Sequence, residues 1–578
     1  MDAINETQAN PMHVTFSWYD YTFFSMMLGL SALIGVYFGF FAKNKQSSAN
    51  EYLLGGKEMK VVPIAISLTA STVSGITLLA VPTDVYRFGA TYWYYSFSAV
   101  AVYLITYYVY LPVFYKLQLT SSYEYLKLRF NGKIRILASF LYTIANLFYL
   151  PIVIYIPALA FAQATEVNIH YVTPLVCGVC IFYTTIGGLK AVVWTDTLQF
   201  VVMMGSMFAV LYMGIASVGG FGAMWDISAK GQRVTPDFTL DPTERDGFFA
   251  VLVGSIFGCA SYISISQGFV QKYLSMPTKQ DVHKALMLFA VGIFIIISSS
   301  VLTGLIMYAK YADCDPFTAR KIVQHDQILP YYVMDVASSI PGLSGLFLSG
   351  IFSAALSTLS ASMNCLSGSI YEDFISPFMS KDISQKRVSN YLKLIVFIIG
   401  LVSTILVFVV ERMGSILPFQ FSLGGITAGP LLGLFSLGML FPTANSKGAM
   451  SGGIGSLIIM SFIILGSQIN KNKGLIYYEP KPLSIDGCNS TITSPAFELN
   501  TASEDVSALF RITHYYYAAM GTLLVLLIGL PVSYFTRNEE DVVDPDLISP
   551  VSKWMLKKEK GKYYDVKKAL NIVHSEKC

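Results

Sequence analysis

Charged residues are scarce in this chain: 39 Lys and Arg and 36 Asp and Glu among 578 residues, or 13 %. A soluble domain carries about 25 %, so there is too little charge to cover a surface exposed to water. A net charge of +3 leaves no footprint for a nucleic-acid partner. The six His and seven Cys show no zinc or haem spacing. No Walker sequence occurs, which leaves ATP-driven pumping without support, and no nucleophile–base constellation suggests an enzyme. Polar or repetitive composition is missing too, which excludes disorder, collagen and coiled coil. What abounds is apolar: 54 % hydrophobic residues and a mean hydropathy of +0.55. The chain reads as a multi-spanning membrane protein, with the lipid bilayer as its surroundings.

A helix crosses the hydrocarbon core in about 20 apolar residues. Thirteen stretches qualify: 18–42, 61–82, 91–115, 135–164, 170–189, 197–218, 247–270, 285–309, 341–370, 392–410, 414–440, 447–467 and 513–535. The expected fold class is an all-α membrane protein of about 13 transmembrane helices. Residues 1–17 are polar, and no signal peptide is expected. Lys and Arg gather in alternate loops, among them Lys43, Lys45, Lys57, Lys60, Lys116, Lys127, Arg129, Lys272, Lys279, Lys381 and Lys386. Such loops are cytoplasmic. That puts the N-terminus outside and the tail from Asn538 to Cys578 inside, and the tail does not end in a prenylation box. The glycosylation candidates Asn5 and Asn489 then both fall outside, each in an Asn-X-Thr context. Cys314 and Cys488 also lie in outer loops, where oxidation is allowed; the sequence leaves open whether they pair. Cys177 and Cys180 sit in mid-span without partner ligands and read as small packing residues.

Two spans depart from the Leu, Ile, Val and Phe of a lipid-facing helix. The second reads Ser67-Leu-Thr-Ala-Ser-Thr-Val-Ser-Gly-Ile-Thr77, and the ninth reads Ser353-Ala-Ala-Leu-Ser-Thr-Leu-Ser-Ala-Ser-Met-Asn364. One reading is close helix packing, with hydroxyls bonded to the preceding turn. The other is a sodium site of neutral oxygens. The hydroxyls of Ser357 and Thr358 would join carbonyls such as those of Ala70 and Val73, exposed where the second span breaks near Ser71–Gly75. The seventh span, Gly254 to Gln267, is also interrupted in character and lies five spans on. Interrupted helices at matching places of two five-helix units point to an inverted repeat with a site near the midplane. A channel would need a filter or a ring of charge, and neither is seen.

The run Tyr183-Thr-Thr-Ile-Gly-Gly-Leu-Lys-Ala191, followed by Val-Val-Trp-Thr-Asp196, resembles the signature of the sodium:solute symporter family (solute carrier family 5-like). Pro82-Thr-Asp-Val-Tyr-Arg-Phe-Gly89, Thr120-Ser-Ser-Tyr-Glu-Tyr-Leu126, Cys314-Asp-Pro and Gly429-Pro-Leu-Leu-Gly-Leu-Phe435 follow in that family's order. The likeness is greatest to the animal branch of monocarboxylate, multivitamin and iodide transporters. It implies a leucine-transporter-like inverted repeat of five plus five helices. The layout would be an extracellular N-terminus (1–17), an extra helix and cytoplasmic loop (18–60), a first repeat (61–218), an extracellular loop (219–246), a second repeat (247–440), two further helices (441–535) and a cytoplasmic tail (536–578).

The resemblance also implies sites. Ala70, Val73, Ala354, Ser357 and Thr358 match the family's sodium site. Asp196 matches a position linked to a second cation in some members, and equally suits a structural cap or gating contact. Thr72, Thr77, Tyr155, Cys259, Gln267 and Gly424 match positions lining the substrate cavity, although Tyr155 equally suits a core aromatic. Branch members usually carry Phe, Trp and Phe where this chain has Thr72, Cys259 and Gly424, which leaves a wider pocket unless other side chains fill it. No intramembrane Lys or Arg is seen to meet an anion. The expected activity is sodium-coupled uptake of a small organic solute, a monocarboxylate-type anion first, at the plasma membrane and without a cofactor. A vitamin, iodide, sugar or choline carrier, or an uncoupled channel or sensor on the same fold, stays open. Oligomeric state is not legible.

Overall fold

The protein's structure is a computed structural model that describes residues 16–42, 48–165, 167–235, 237–322, 325–337, 340–379, 383–411, 416–488, 506–536 and 543–556. Asn5, Asn489, Lys43, Lys45 and Lys381 lie outside the described residues. The described residues form helices and no strands. We number the long ones α1 (Trp18–Phe41), α2 (Val61–Thr72), α3 (Gly75–Phe88), α4 (Ala90–Leu117), α5 (Gly132–Thr165), α6 (Ile169–Ser217), α7 (Ala250–Ile263) and α8 (Gln267–Leu274). There follow α9 (Lys279–Lys310), α10 (Leu343–Ile370), α11 (Gln385–Val410), α12 (Ile416–Leu440), α13 (Ser446–Asn472) and α14 (His514–Phe535).

Helices dominate because a bilayer offers no water to backbone N–H and C=O groups, and a helix pairs them within itself. Nine helices among the described residues are long and apolar enough to cross; α2 with α3, and α7 with α8, are two further crossings, bent by 57° and 60°. Two of the expected stretches fall within α6. The stretches 170–189 and 197–218 lie in one run of 49 residues, interrupted at Gly188 with φ +54° and ψ −154°. Straight, that run would be roughly 74 Å long, over twice the core thickness of about 30 Å. The reversal falls on a glycine because an L side chain resists positive φ.

The helix α10 is central. In its most apolar window 89 % of residues are buried, against 28–56 % in the other long helices. It packs against α6, α5 and α1, while α12, α13 and α14 pack on one another and, through α12, on α5 and α7. In that trio Gly429 and Gly521 bring two backbones so close that a Cβ on Gly429 would meet Gly521 Cα at 2.7 Å. The outward face of α11 presents Leu394, Phe397, Leu401 and Ile405, as a lipid-facing surface requires.

At one end of the bundle, loop polar groups close over α3. Arg245 grips Asp84 with one nitrogen at 2.7 Å from both carboxylate oxygens and lies 3.7 Å above the Phe88 ring. Arg233 is fully buried, lies 3.9 Å above Tyr308 and donates to Tyr86 O at 3.1 Å. Tyr86 in turn donates to Asp315 at 2.6 Å. Cys314 is bonded to Cys488, and beside that bridge Asp315 N donates to Ser484 O at 2.9 Å. Cross-linking residues 174 apart restricts the unfolded chain, by about 2–4 kcal/mol in typical cases.

Two predictions follow from this closure. Cys488→Ser should expose Cys314 to a membrane-impermeant maleimide and lower the unfolding temperature in detergent; unchanged labelling and stability would contradict the bridge. Burial, with help from Arg87, pushes His325 down to about 4 from 6.5. The unfolded state therefore binds more protons between those values, so this group's stabilisation is lost as pH falls from 6.5 towards 4. Burial raises Asp246, which has the opposite sign. Thermal melts of His325→Phe at pH 7 and 5 should therefore show less acid destabilisation than wild type.

Candidate functional site

The site begins with a failure of helix continuity. Around 70 the hydroxyls compete with the backbone: Thr69 donates to Ala65 O at 2.8 Å, Ser71 to Ser67 O at 2.6 Å and Thr72 to Leu68 O at 2.8 Å. α2 stops at Thr72, and Val73 (φ −91°, ψ 107°) and Ser74 (φ −92°, ψ 167°) are extended. The last carbonyls of α2 thereby lose their intrahelical partners. Gly75 opens α3 against Pro157 of α5, where an added Cβ would lie 2.8 Å from the proline ring. The missing side chain at position 75 lets α3 start in close contact with α5.

The helix α10 faces this break. Thr358 Oγ1 is 3.0 Å from Ala354 O and 3.4 Å from Ser71 O, so it bridges α10 to the broken end of α2. Ala70, Val73, Ala354, Ser357 and Thr358 are all buried. The Ser357 hydroxyl has no hydrogen-bond partner. An orphaned buried oxygen costs about 1–3 kcal/mol, which a hard cation would relieve. Sodium suits such a cluster of hydroxyls and carbonyls, since neutral oxygens satisfy it without buried anions.

One buried carboxyl group is nevertheless present. Asp196 of α6 is fully buried; its Oδ2 accepts from Ser67 Oγ at 2.5 Å and lies 3.4 Å from Ser71 Oγ, whose hydrogen goes to Ser67 O. Its other oxygen has no partner. Beside it lies Lys272, expected in a cytoplasmic loop and instead buried near the end of α8. Lys272 Nζ donates to Ser71 Oγ at 2.6 Å and Ser67 O at 3.0 Å, and is 3.6 Å from Asp196 Oδ2. The expectation of Lys272 as a loop residue is thus corrected. The apolar spacing of Phe269, Val270, Tyr273 and Leu274 was the signal that the helix continues past 270 and draws Lys272 inward.

The cavity residues divide. α7 ends near Ser264, and Tyr273 OH donates to the freed Ile263 carbonyl at 2.8 Å. Cys259 is buried on α7, with Tyr95 of α4 beside it. Tyr155 is buried in α5, two residues before the proline that meets Gly75. Thr72 and Thr77 flank the break and are half-buried. Gly424 is exposed, with no atom within 4 Å of an added Cβ. Gln267 does not join them: its amide accepts from Ser122 N at 2.6 Å and donates to Thr120 O at 2.8 Å, tying α8 to the loop after α4. Cys177 and Cys180 are buried and unbridged, and no group of three metal-ligating side chains occurs among the described residues.

Residues 52–456 match the sequence profile of the sodium:solute symporter family. The chain belongs to that family. This symporter is 37 % identical over 553 residues to sodium-coupled monocarboxylate transporter 1 of Xenopus laevis, spanning 92 % of the chain and 88 % of that relative. It is 36 % identical over 541 residues to sodium-coupled monocarboxylate transporter 2 of Homo sapiens, spanning 93 % and 87 %. With the sodium-dependent multivitamin transporter of Oryctolagus cuniculus the identity is 34 % over 535 residues, spanning 90 % and 83 %. A substrate-bound, outward-open Na+-coupled sialic acid symporter has the same fold, with a TM-score of 0.75 at 22 % identity over 91 % of this chain and all of that one. Mhp1, a nucleobase-cation-symport-1 family transporter, gives 0.51 at 11 % identity over 85 % and 95 %. The symporter is thus an all-α, leucine-transporter-like membrane protein that moves its solute with sodium, and not an enzyme.

If the cluster at the break holds sodium, removing both hydroxyls must weaken it. Ser357→Ala combined with Thr358→Ala should raise the sodium concentration for half-maximal flux by about tenfold or more, a loss of about 1.4 kcal/mol. Thr358→Ser should stay near wild type. An unchanged sodium dependence in the double variant would defeat the assignment.

Proposed function

We propose that this symporter imports a small organic anion of the monocarboxylate type across the plasma membrane by alternating access. The observation that carries the reading is the break at 73–74 facing Thr358, whose hydroxyl lies within 3.4 Å of carbonyls on both α2 and α10. Sodium there would take the carbonyls of Ala70, Val73 and Ala354 and the hydroxyls of Ser357 and Thr358. It would join the two helices and complete the solute site beside Thr72, Thr77, Tyr155 and Cys259. Such coupling is reciprocal and typically amounts to about 1–3 kcal/mol. The membrane potential adds about 2.3 kcal/mol per charge per 100 mV. The solute carboxylate would meet the positive N-terminal ends of α3 and α8. Names of the relatives favour a monocarboxylate.

The proposed repeats are residues 61–218 and 247–440, each containing one broken helix in its first crossing. The bridge between Cys314 and Cys488 favours the oxidising, extracellular side for that end of the molecule. On this reading Asn5 and Asn489 are glycosylation acceptors outside, and residues 536–578 form the cytoplasmic tail.

A second reading has its own observation. With Thr72 half-buried and open space at Gly424, the pocket lacks two of the bulky groups that narrow it in branch members. The solute would then be bulkier than lactate, in the direction of a vitamin. A panel of labelled monocarboxylates and larger carboxylates, tested in voltage-clamped cells with and without sodium, tests both. Sodium-dependent carboxylate flux is expected, and Thr72→Phe with Cys259→Trp should shift acceptance towards smaller solutes at least about tenfold. Sodium-independent uptake would overturn coupling, and selectivity unmoved by the two substitutions would overturn the pocket.

A further inference from the structure

After α14 the chain returns to the bundle. Residues 543–556 make two turns, Pro545–Leu547 and Pro550–Met555, and form a strap across one end of it. Leu547 and Ile548 are buried at 5 % and 1 % exposure, and Ser549 at 0 %. Tyr125 OH donates to Leu547 O at 3.1 Å, and Ser549 N donates to Met439 O at 2.9 Å. Asp546 pairs with Lys116. The residues so held are far apart in the chain. Lys116 lies in the last turn of α4, Tyr125 in the short helix Glu124–Arg129, and Met439 near the end of α12. Pro550–Met555 packs against α4 and α12 as well.

Within this seat Ser549 is the residue whose side chain is idle. Its backbone N–H is bonded to Met439 O, while its buried hydroxyl has no partner. The hydroxyl therefore adds nothing to docking that an alanine would lack. Pro550 follows, and Ser549 is in the extended region, with φ −58° and ψ 141°. An extended serine followed by proline is the form in which a proline-directed protein kinase accepts its substrate. A phosphate on that hydroxyl would bring a charge of about −2 and three acceptor oxygens. The seat suits neither. It is closed to solvent, the Met439 carbonyl already faces Ser549, and Lys116 is already paired with Asp546.

We propose that Ser549 is a phosphorylation site for a proline-directed protein kinase, and that the phosphate holds the strap off the ends of α4 and α12. The inference rests on the cytoplasmic placement of residues 536–578 and on alternating access. While the strap is docked, Ser549 is out of a kinase's reach; lifting the strap exposes it. Ser549 Oγ then attacks the γ-phosphorus of ATP. A new O–P bond replaces the bond to ADP, which leaves, and the hydroxyl proton passes to the kinase's base. The phosphate stops redocking, because it would have to be buried unpaired. The docked strap ties α4 to α12 at the end that opens to release solute inside, so lifting it speeds that step.

The test is hydrogen exchange of the purified full-length protein, before and after treatment with a proline-directed kinase and ATP, which needs no knowledge of the solute. The peptide around Ser549 should be protected in wild type and in Ser549→Ala. It should exchange at least about tenfold faster in the phosphorylated protein and in Ser549→Glu. Phosphate should enter Ile548→Asp, whose strap is lifted, at least about tenfold faster than wild type, and Ser549→Ala should take none at this position. Monodisperse gel filtration shows that a variant is folded; if Ile548→Asp is not, exchange of wild type with and without phosphate still decides. Equal protection with and without phosphate, or a phosphorylation rate unmoved by lifting the strap, would overturn the inference alone. An epitope tag at Cys578 reached by antibody on intact cells would overturn the cytoplasmic placement and the inference with it. In cells, sodium-dependent uptake of labelled lactate should rise about threefold in Ser549→Glu with its sodium dependence unchanged. Uptake equal to wild type would overturn the link to opening. No lactate uptake by wild type would count against the proposed solute, with the strap still decided by exchange.

Discussion

A membrane interior supplies no water, so each backbone break inside it must find protein partners for the groups it frees. The rest of this structure depends on that constraint. Breaking a helix at 73–74 frees carbonyls, and breaking another at 264–266 frees more. Hydroxyls answer them: Thr358 at Ser71 O, Tyr262 at the same carbonyl at 3.2 Å, and Tyr273 at Ile263 O. What remains unanswered, notably the Ser357 hydroxyl, is the part available to a cation.

The same constraint explains why α10 is so deeply buried and so rich in small polar residues. Serine and alanine let α6, α5 and α2 approach it closely, and hydroxyls that would be costly against lipid are sheltered among neighbouring helices. Asp196 and Lys272 extend the principle to charge. Neither is tolerable alone in this setting, and together they form a neutral pair between α6 and α8, with Ser67 and Ser71 of α2 bonded to it. The polar centre therefore joins both broken crossings into one unit. The loop closure around Arg233, Arg245 and the Cys314–Cys488 bridge organises one end of the bundle independently of it.

Much of this was legible in the sequence because its signals are local. Hydropathy over about 20 residues marks a crossing, and a run such as Ser67–Thr77 marks the place where hydroxyls and β-branched residues undermine a helix. Gly188 was legible as part of a signature, but that its positive φ is what separates the two expected crossings within α6 shows only in the structure. Gln267 was misplaced for a related reason. A polar residue at a helix break suits a cavity and a loop contact equally, and only the approach of Ser122 and Thr120 decides between them.

The sequence by itself determined that this is a multi-spanning membrane protein, where its two broken crossings lie and which oxygens could gather at them. Composition, helix propensity and hydrophobic length act over neighbouring residues, so a linear reading captures them. Only the tertiary structure decided the fate of charge. Lys272 sits beside lysine-bearing loops in the sequence and is drawn inward by the apolar face of α8, to meet Ser71 across 201 positions of chain. Such pairing is set by how helices pack, because a buried charge is stable only where another element delivers its partner. Net charge and loop charge counts contain no record of that delivery.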